Sequence, residues 1–306
     1  MKVAISGATG FVGSRLVERL NREGVIVLVL TRNTDFAQKI FPSQGFPNVE
    51  IIAYTPNVSG SWQDALSGCD AVVNLAGEPI GEGRWTPERK QEILNSRQLG
   101  TQKIVEAIAK SNPKPSVLVN ASAIGYYGTS ETATFDENSP SGNDFLAQVC
   151  QAWEAEATKV IDAGVRLVIL RFGIVLGTGG ALGKMITPFK LFAGGPIGSG
   201  RQWFSWIHLE DIVNLILESL NKPELQGVYN ATAPNPVRMS ELSQTMGQVM
   251  NRPSWLPVPS FAIEALLGDG AIMVLEGQKV EPKKTLEAGF EYLYPNLKPA
   301  LAQIIK

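Results

Sequence analysis

Three glycines near the start of the chain have the spacing of a phosphate-binding turn. Gly7, Gly10 and Gly13 follow the apolar run at 3–6, and residues 14–20 then have helical composition. Without a Cβ the backbone can approach a diphosphate closely, and the free N–H groups of the helix's first turn point toward its negative charge. This strand–turn–helix order predicts a dinucleotide-binding site. The alternative is a tight turn that binds nothing, although three glycines within seven residues exceed what such a turn needs.

The end of the second apolar run indicates which dinucleotide is bound. Residues 25–30 are apolar and lead into Thr31-Arg32-Asn33, where no acidic residue stands. An acid at this point holds the ribose hydroxyls of NAD, whereas an arginine forms charge-assisted hydrogen bonds with a 2′-phosphate. Arg32 therefore predicts that NADP(H) is preferred over NAD(H). A solvated surface arginine without a ligand is the alternative interpretation.

Composition restricts the class of protein. The chain has 306 residues, of which 44% are hydrophobic, and a net charge of −2. These values predict a sizeable core and argue against nucleic acid as a partner. Because the first strand begins at once, we expect no leader, and because no apolar run is long enough, we expect no membrane span. Cys69 and Cys150 stand far apart and His208 is the only histidine, so we expect a reduced, cytoplasmic protein without a metal site.

Strand-like apolar runs alternate with helical segments along the chain. The runs are 3–6, 25–30, 49–53, 71–75, 117–121 and 167–172, and the helical segments are 13–23, 35–41, 62–67, 87–111 and 144–163. This alternation predicts an α/β fold with a doubly wound parallel (Rossmann) sheet. Ligands of such sheets lie beyond the carboxyl ends of the strands, which we expect to converge. Those ends are Gly7–Gly10, Arg32, Leu75–Glu78, Ser122 and Phe172-Gly173.

The composition changes after Gly177, where glycine-rich segments begin. We predict a dinucleotide-binding domain at 1–177 and a smaller substrate lobe at 178–306, with strands and helices free to exchange between the lobes. A helix at 211–220, a late strand at 228–231 and a helix at 240–250 fall in the second part.

Motifs along most of the chain carry a family resemblance. In order they are Gly7-x-x-Gly10-x-x-Gly13, Asn74-Leu75-Ala76-Gly77, Gly100-Thr101, 171–177 and 207–211. The set resembles the extended short-chain dehydrogenase/reductase superfamily, which includes nucleotide-sugar epimerases and dehydratases. The segments 83–86, 96–97, 122–128 and 144–150 resemble more closely its atypical "epimerase family" branch, sometimes called SulA-like cell-division inhibitors. Residues 280–284 and 288–295 resemble that branch's small C-terminal domain of unknown function, placed here at about 253–300.

The resemblance implies a set of cofactor-binding residues but not the usual catalytic pair. The cofactor set is Gly7, Thr9, Gly10, Phe11, Val12, Arg32, Leu75, Ala76, Gly77, Phe172 and Gly173. Ordinary members carry Tyr-x-x-x-Lys on one helix, where the lysine lowers the pKa of the tyrosine that moves the proton. Residues 139–156 contain neither tyrosine nor lysine. If Glu154 matches the family's later glutamate, Leu146 and Cys150 stand at those two positions.

Three other residues are candidates for the chemistry. Ser122 could bind a substrate oxygen or be a satisfied strand-end hydroxyl, and Tyr127 could be a displaced proton donor or a packing residue. Arg97 could bind an anionic substrate group or a cofactor phosphate, or form an ion pair such as one with Glu78.

Two functional hypotheses follow. The first is an NADP(H)-dependent oxidoreductase or epimerase-like enzyme that acts on a small polar substrate, with an anionic substrate as one option. The second is a catalytically inert NADP(H)-binding sensor or scaffold, with a link to cell or plastid division. The resemblance also implies a homodimer formed through the helices at 87–111 and 144–163.

Overall fold

The computed structural model describes residues 1–305. The strands in this range are β1 (Lys2–Ser6), β2 (Ile26–Thr31), β3 (Val49–Ala53), β4 (Ala71–Asn74), β5 (Val117–Ala123), β6 (Thr134–Phe135), β7 (Arg166–Phe172), β8 (Ile174–Leu176), β9 (Trp203–Phe204), β10 (Trp206–His208), β11 (Gly227–Ala231), β12 (Val237–Arg238) and β13 (Lys279–Val280). The helices are α1 (Phe11–Arg22), α2 (Thr34–Ile40), α3 (Pro87–Lys110), α4 (Phe145–Thr158), α5 (Gly180–Lys190), α6 (Leu209–Asn221), α7 (Met239–Met250), α8 (Ser260–Leu267), α9 (Ile272–Leu275), α10 (Lys283–Glu287) and α11 (Leu297–Ile304).

Seven strands form one parallel sheet in the order β11-β7-β5-β4-β1-β2-β3. Strand β1 is flanked by β4 and β2, so that Ser6 pairs with Asn74 on one side and with Leu30 on the other. The order reverses at β1, as in a doubly wound sheet, and the crevice beside such a reversal is where ligands of these folds bind. The predicted fold class is confirmed.

The strands are apolar because helices cover both faces of the sheet. On one face Leu16 and Leu20 of α1 and Ile216 of α6 pack against Ile5 of β1. On the other face Ile104 and Ile108 of α3 and Leu66 pack against Ala4, Leu28 and Leu118, all of them buried. Alternate residues of each strand thus enter different cores, which fixes the register of the sheet.

The chain returns to this sheet after Gly177. Helix α6 lies on the face that α1 also covers, and β11 joins the edge of the sheet beside β7. The late strand expected at 228–231 is therefore the seventh strand of the main sheet. The smaller lobe is built from the flanking segments, with the short sheets β8–β10 and β9–β12 and a core formed by β8, β10, α7 and α11.

Two carboxylates, the buried Asp211 and the half-buried Glu137, tie the C-terminal segment to the sheet. Asp211, which is 0% exposed, accepts hydrogen bonds from the backbone N–H groups of Leu293 (2.7 Å) and Tyr294 (3.1 Å). Glu137 accepts from the N–H groups of Asn230 (2.9 Å) and Lys284 (3.1 Å). Backbone N–H donors at both points replace the water that a buried carboxylate loses.

Helices α8 and α9 pack lightly, since neither has a fully buried residue. Two contacts hold them to the Rossmann domain, one from the loop before α3 and one from the first turn of α3. Arg84 Nη1 donates to the carbonyl of Ala265 at 3.0 Å, and Lys90 Nζ lies 2.6 Å from a carboxylate oxygen of Asp269. Lys90 thus finds its ionic partner in the other lobe.

Candidate functional site

The glycine turn after β1 is shaped by contacts that no side chain could share. Gly7 has φ +70°, and a Cβ on it would lie 2.7 Å from the carbonyl carbon of Leu75. A Cβ on Gly13 would lie 2.2 Å from the oxygen of Gly7. Both glycines therefore allow the turn to fold back tightly against the end of β4 and the start of α1.

The start of α1 offers unpaired backbone donors toward the turn. Gly10 is the N-cap, with no side-chain cap, and the first turn carries no acidic residue. The N–H groups at such a helix start and the positive end of its dipole favour an anion. Thr9, Phe11 and Val12 lie in the same turn, half-buried. Among the described residues this turn has the geometry that fits a dinucleotide diphosphate.

The side chain of Phe11 connects the turn to the smaller lobe. A Cβ on Gly177 would lie 2.6 Å from the Phe11 ring, and a Cβ on Gly179 would lie 3.2 Å from it. The backbone of Phe11 therefore belongs to the cradle, whereas its ring fixes the glycine-rich segment that begins the second lobe.

Arg32 lies just beyond β2, where its guanidinium meets a carboxylate from the end of β4. Its side chain is 67% exposed, and Nη1 lies 2.6 Å from Glu78 Oε1. Glu78 Oε2 lies 3.4 Å from Nη1 of Arg89, a residue near the start of α3. Although burial by itself raises it, the pKa of the Glu78 carboxyl lies below its usual value because both arginines donate to it.

The remaining predicted cofactor residues line two strand ends. The N–H group of Leu75 donates to the carbonyl of Ser6 at 3.1 Å, which holds 75–77 beside the glycine turn. Gly173, directly after Phe172 at the end of β7, donates to the carbonyl of Ala231, and a Cβ on it would lie 2.8 Å from the oxygen of Ser205. All eleven predicted residues thus lie at the carboxyl edge of the sheet or in the turns that leave it.

Arg97 reaches from α3 toward the end of β4. A Cβ on Gly77 would lie 2.9 Å from its Cζ, and the guanidinium lies over the ring of Trp153 at 5.1 Å. Nη1 donates to the carbonyl oxygens of Glu78 (3.0 Å) and Ile93 (3.2 Å). The alternative of an ion pair with the Glu78 carboxylate is not what the structure shows, since the bond goes to the backbone.

The other nitrogens of Arg97 have no acceptor within residues 1–305, and no carboxylate there lies within 4.0 Å of them. Burial lowers the pKa of this guanidinium, yet an arginine remains charged under all physiological conditions. Arg97 is thus a half-buried cation with spare donors beside the strand ends.

Ser122 and Tyr127 belong to a buried polar cluster centred on Glu154 and Arg171. Ser122 Oγ donates to Glu154 Oε1 at 2.6 Å, and Arg171 grips both oxygens of the same carboxylate at 2.8 Å. Arg171 Nη1 donates to the Tyr127 hydroxyl at 2.9 Å, which donates in turn to Asn230 Oδ1 at 2.7 Å. Bidentate geometry of this kind is the strongest form of side-chain ion pair.

Burial in this cluster suppresses ionisation of Tyr127. Its hydroxyl loses solvation, which raises the pKa to about 12 even though the Arg171 charge opposes the shift. Its ring stacks on Phe135 at 5.4 Å, and that of Tyr126 lies 3.4 Å from Arg171 Cζ. The phenol is therefore a proton-bearing group inside the network rather than one at its surface.

The positions expected for the catalytic pair carry no acid–base group. Leu146 packs in an apolar cluster with Ile272 and Met273 of α9. Cys150 Sγ donates to the carbonyl of Ala123 at 3.6 Å, and burial raises the pKa of this thiol to about 11. Neither residue can accept or supply a proton near neutral pH.

Sequence reasoning missed two features of the site. It did not assign Arg171 to Glu154, although Arg171 begins the motif at 171–177 and Glu154 matches a glutamate of the family. It also did not join Arg32 to Glu78, although both were expected at strand ends. The sheet order, which places β2 and β4 on either side of β1, was the signal that would have found the second pair.

Comparisons with known proteins agree on one family. The model of the NAD dependent epimerase/dehydratase family matches residues 3–232, and a model described as a domain of unknown function (DUF1731) matches 258–304. The "Epimerase family protein SDR39U1 homolog, chloroplastic" of Arabidopsis thaliana is 53% identical over 309 residues, which is 100% of this chain and 87% of that protein. The Bacillus subtilis "Epimerase family protein YfhF" is 40% identical over 306 residues, covering 100% and 98%.

A solved structure has the same fold throughout. The crystal structure of human epimerase family protein SDR39U1 (isoform 2) with NADPH superposes with a TM-score of 0.87 at 38% identity, over 99% of each chain. Within residues 1–305 no helix has both the length and the apolar character needed to cross a bilayer, and no three side chains group as metal ligands.

Proposed function

This chain belongs to the NAD dependent epimerase/dehydratase family, and within it we propose an NADP(H)-dependent oxidoreductase or epimerase-like enzyme that works without a Tyr-x-x-x-Lys pair. One observation carries the proposal: the glycine cradle after β1 has an arginine, Arg32, at the end of the neighbouring strand. The human relative crystallised with NADPH supports the same cofactor.

The residues of the cradle would hold the cofactor in separate parts. The N–H groups at the start of α1 would bind the diphosphate, and Arg32 would bind the 2′-phosphate of the adenosine. The strand ends at 75–77 and 172–173 would line the part of the site between the diphosphate and the nicotinamide. When bound, the nicotinamide supplies hydride transfer.

On the substrate side we propose Arg97 as the residue that contacts substrate. Its spare donors suit an anionic group or a carbonyl oxygen that gains negative charge as hydride arrives. Because a guanidinium keeps its charge, Arg97 would orient the substrate and stabilise that oxygen but transfer no proton, and the proton that the oxygen takes up would come from water. Ser122 and Tyr127 would act by positioning β5 and β7 through Glu154 and Arg171. The substrate class that fits is a small polar molecule with an anionic group.

A second candidate is an NADP(H)-binding sensor or scaffold without turnover. The observation that favours it is the saturation of the polar cluster, in which the hydroxyls of Ser122 and Tyr127 already have partners. Leu146 is covered by side chains of the second lobe. Such a protein would bind a macromolecular partner with an affinity that depends on the cofactor.

Calorimetric titration of the purified protein with NADPH and NADH tests the cofactor assignment. We expect NADPH to bind, and Arg32→Ala to weaken it by about tenfold or more while NADH changes little, because a charge-assisted bond is worth about 1.5–3 kcal/mol. Binding of neither nucleotide by wild type would refute both candidates.

Turnover assays distinguish the two candidates. A screen of small carbonyl and nucleotide-sugar substrates with saturating NADPH should show turnover in wild type that Arg97→Leu reduces. Arg97→Lys should retain part of it, since a cation remains. If no substrate turns over while NADPH changes the affinity for a captured partner, the sensor is supported instead.

The proposal also covers assembly and location. The outer faces of α3 and α4, which pack on each other within the chain, would form a homodimer, and sedimentation equilibrium would test it. For the location we propose the cytoplasm, a reducing compartment that suits two free cysteines, although the Arabidopsis relative is named chloroplastic.

A further inference from the structure

The ion pair of Arg32 and Glu78 spans the carboxyl end of β1. Arg32 follows β2 and Glu78 follows β4, and these strands lie on opposite sides of β1. Neighbouring strands lie about 4.8 Å apart, so two long side chains are needed to meet across the strand between them. The glycine turn leaves β1 at this point. The residue predicted to select NADP(H) is thus already paired with a carboxylate at the mouth of the cradle.

Glu78 cannot move away from Arg32 without losing other bonds. Its carboxylate also accepts from Arg89, its N–H donates to Ser96 Oγ at 3.0 Å, and its carbonyl accepts from Arg97. The Glu78 side chain is 22% exposed, against 67% for Arg32. When a ligand competes for the pair, the arginine is the mobile partner and the carboxylate stays in place.

A carboxylate fixed at this distance treats the two cofactors differently. A 2′-phosphate that binds Arg32 where its guanidinium now lies would come within about one guanidinium width of Glu78, where like charges repel. If Arg32 turns away to reach the phosphate instead, it gives up its ion pair with Glu78, so the carboxylate disfavours NADP(H) by either route. The 2′-hydroxyl of NAD(H) is a donor, and a carboxylate accepts from it. Glu78 therefore acts against the preference that Arg32 creates.

We propose that Glu78 is a second specificity-determining residue, which narrows the preference for NADP(H) over NAD(H) by opposing the 2′-phosphate at Arg32. This inference rests on the proposed cofactor function, since it assigns a residue within the same cradle. It predicts that the chain uses both cofactors with affinities closer than Arg32 alone would give.

The test is the ratio of the dissociation constants of NADH and NADPH, measured by calorimetry. Glu78→Gln keeps the shape of the side chain and removes its charge. We expect NADPH to bind about three- to tenfold more tightly and NADH to bind no better than to wild type. The matched control is Glu50→Gln, which removes the carboxylate of the exposed Lys2–Glu50 pair (2.8 Å) at the other end of the sheet and should leave the ratio unchanged.

Variants that remove Arg32 with and without the Glu78 charge test the inference independently. In Arg32→Ala the 2′-phosphate meets Glu78 without a compensating cation, and the Arg32→Ala/Glu78→Gln double variant should regain part of the lost NADPH affinity. Glu78→Asp, which withdraws the carboxylate by one methylene, should shift the ratio in the same direction as Glu78→Gln but less. Thermal unfolding confirms that each variant is folded.

The outcomes separate the two proposals. Wild-type binding of NADPH, an unchanged ratio in Glu78→Gln and no rescue in the double variant would overturn the role of Glu78 and leave the cofactor function standing. Failure of wild type to bind either nucleotide would overturn the cofactor function itself. A raised ratio that Glu50→Gln reproduces would show a general effect of net charge and would also overturn the inference.

Discussion

Two arginines at the same edge of the sheet hold carboxylates in very different ways. Arg32 has a side chain that is 67% exposed and makes one contact with Glu78, whereas Arg171 is 3% exposed and grips Glu154 through two bonds. An exposed pair contributes little stability and can exchange its partner for a ligand. A buried pair cannot release one partner without leaving a charge uncompensated. The Arg32–Glu78 pair is therefore suited to exchange with a ligand, and the Arg171–Glu154 pair between β7 and α4 is a permanent part of the fold.

Removal of the buried cation should have the largest effect. Arg171→Met leaves Glu154 buried without its partner, and we expect a loss of about 3–5 kcal/mol in the free energy of unfolding. The exposed counterpart, Arg32→Met, should cost at most about 1 kcal/mol. Urea denaturation measures both, and equal losses would contradict the division between the two regions.

A methyl group in the glycine turn should damage binding as well as stability. In Gly13→Ala the new Cβ would lie 2.2 Å from the oxygen of Gly7, so the turn has to shift. Overpacking of this kind costs up to about 3 kcal/mol, and we expect NADPH affinity to fall by at least about tenfold. In the control Gly45→Ala, the nearest atom is 3.9 Å away and affinity should stay unchanged. Normal NADPH affinity in Gly13→Ala would show that the turn does not hold the cofactor.

Loss of the Ser122 hydroxyl should affect stability but not the cofactor. Ser122→Ala deletes one donor to the Glu154 carboxylate, which we expect to cost about 1.5 kcal/mol. The matched control is Ser59→Ala, which deletes a longer, exposed serine–glutamate bond to Glu106 (3.4 Å) and should cost far less. NADPH titration of Ser122→Ala should match wild type, and a weakened titration would place Ser122 on the cofactor side instead.

The burial of Tyr127 should make the free energy of unfolding fall at alkaline pH, which is the smallest effect predicted here. Its pKa is about 12 in the folded protein, against about 10 for a free tyrosine. The unfolded chain therefore releases this proton first, and the stability that the raised pKa provides is complete below pH 10 and declines above it. Between pH 9 and 10.5 wild type should lose about 1 kcal/mol more than Tyr127→Phe. Parallel curves would mean that the phenol is accessible to solvent.

The main sheet and the glycine turn could be predicted from the sequence because both depend on the backbone and on apolar patterning. Glycines that must approach other backbone atoms leave a spacing that is visible without a structure, and alternating apolar runs located six of the seven strands of the main sheet. The seventh, at 228–231, was predicted as a strand but was assigned to the smaller lobe. The exchange of α6 and β11 between the lobes was less predictable, since their apolar faces do not state which core they enter. The structure shows that β11 pairs with β7 and that α6 packs in the same core as α1.

For the region of Ser122, Tyr127 and Arg97, the sequence predicted only that the usual catalytic tyrosine and lysine are missing. The lack of tyrosine and lysine in 139–156 was visible, but the partners of Ser122, Tyr127 and Arg97 were not. These contacts join residues far apart in the sequence, such as Tyr127 and Asn230. Long side chains also select among several acceptors within reach, as Arg97 does in bonding the backbone of Glu78 rather than its carboxylate. Spacing alone cannot decide such choices.

The fully buried Asp211 has a consequence for how the protein is made. Helix α6 carries this carboxylate into the core, but the two N–H groups that satisfy it belong to Leu293 and Tyr294, more than 80 positions later in the chain. A ribosome delivers the sheet strands long before it delivers these donors, and domains begin to fold as they emerge. We therefore expect α6 to dock fully on the sheet only when residues 293–294 are available to replace the water around Asp211. The N-terminal core would then be completed by a segment that is synthesised much later.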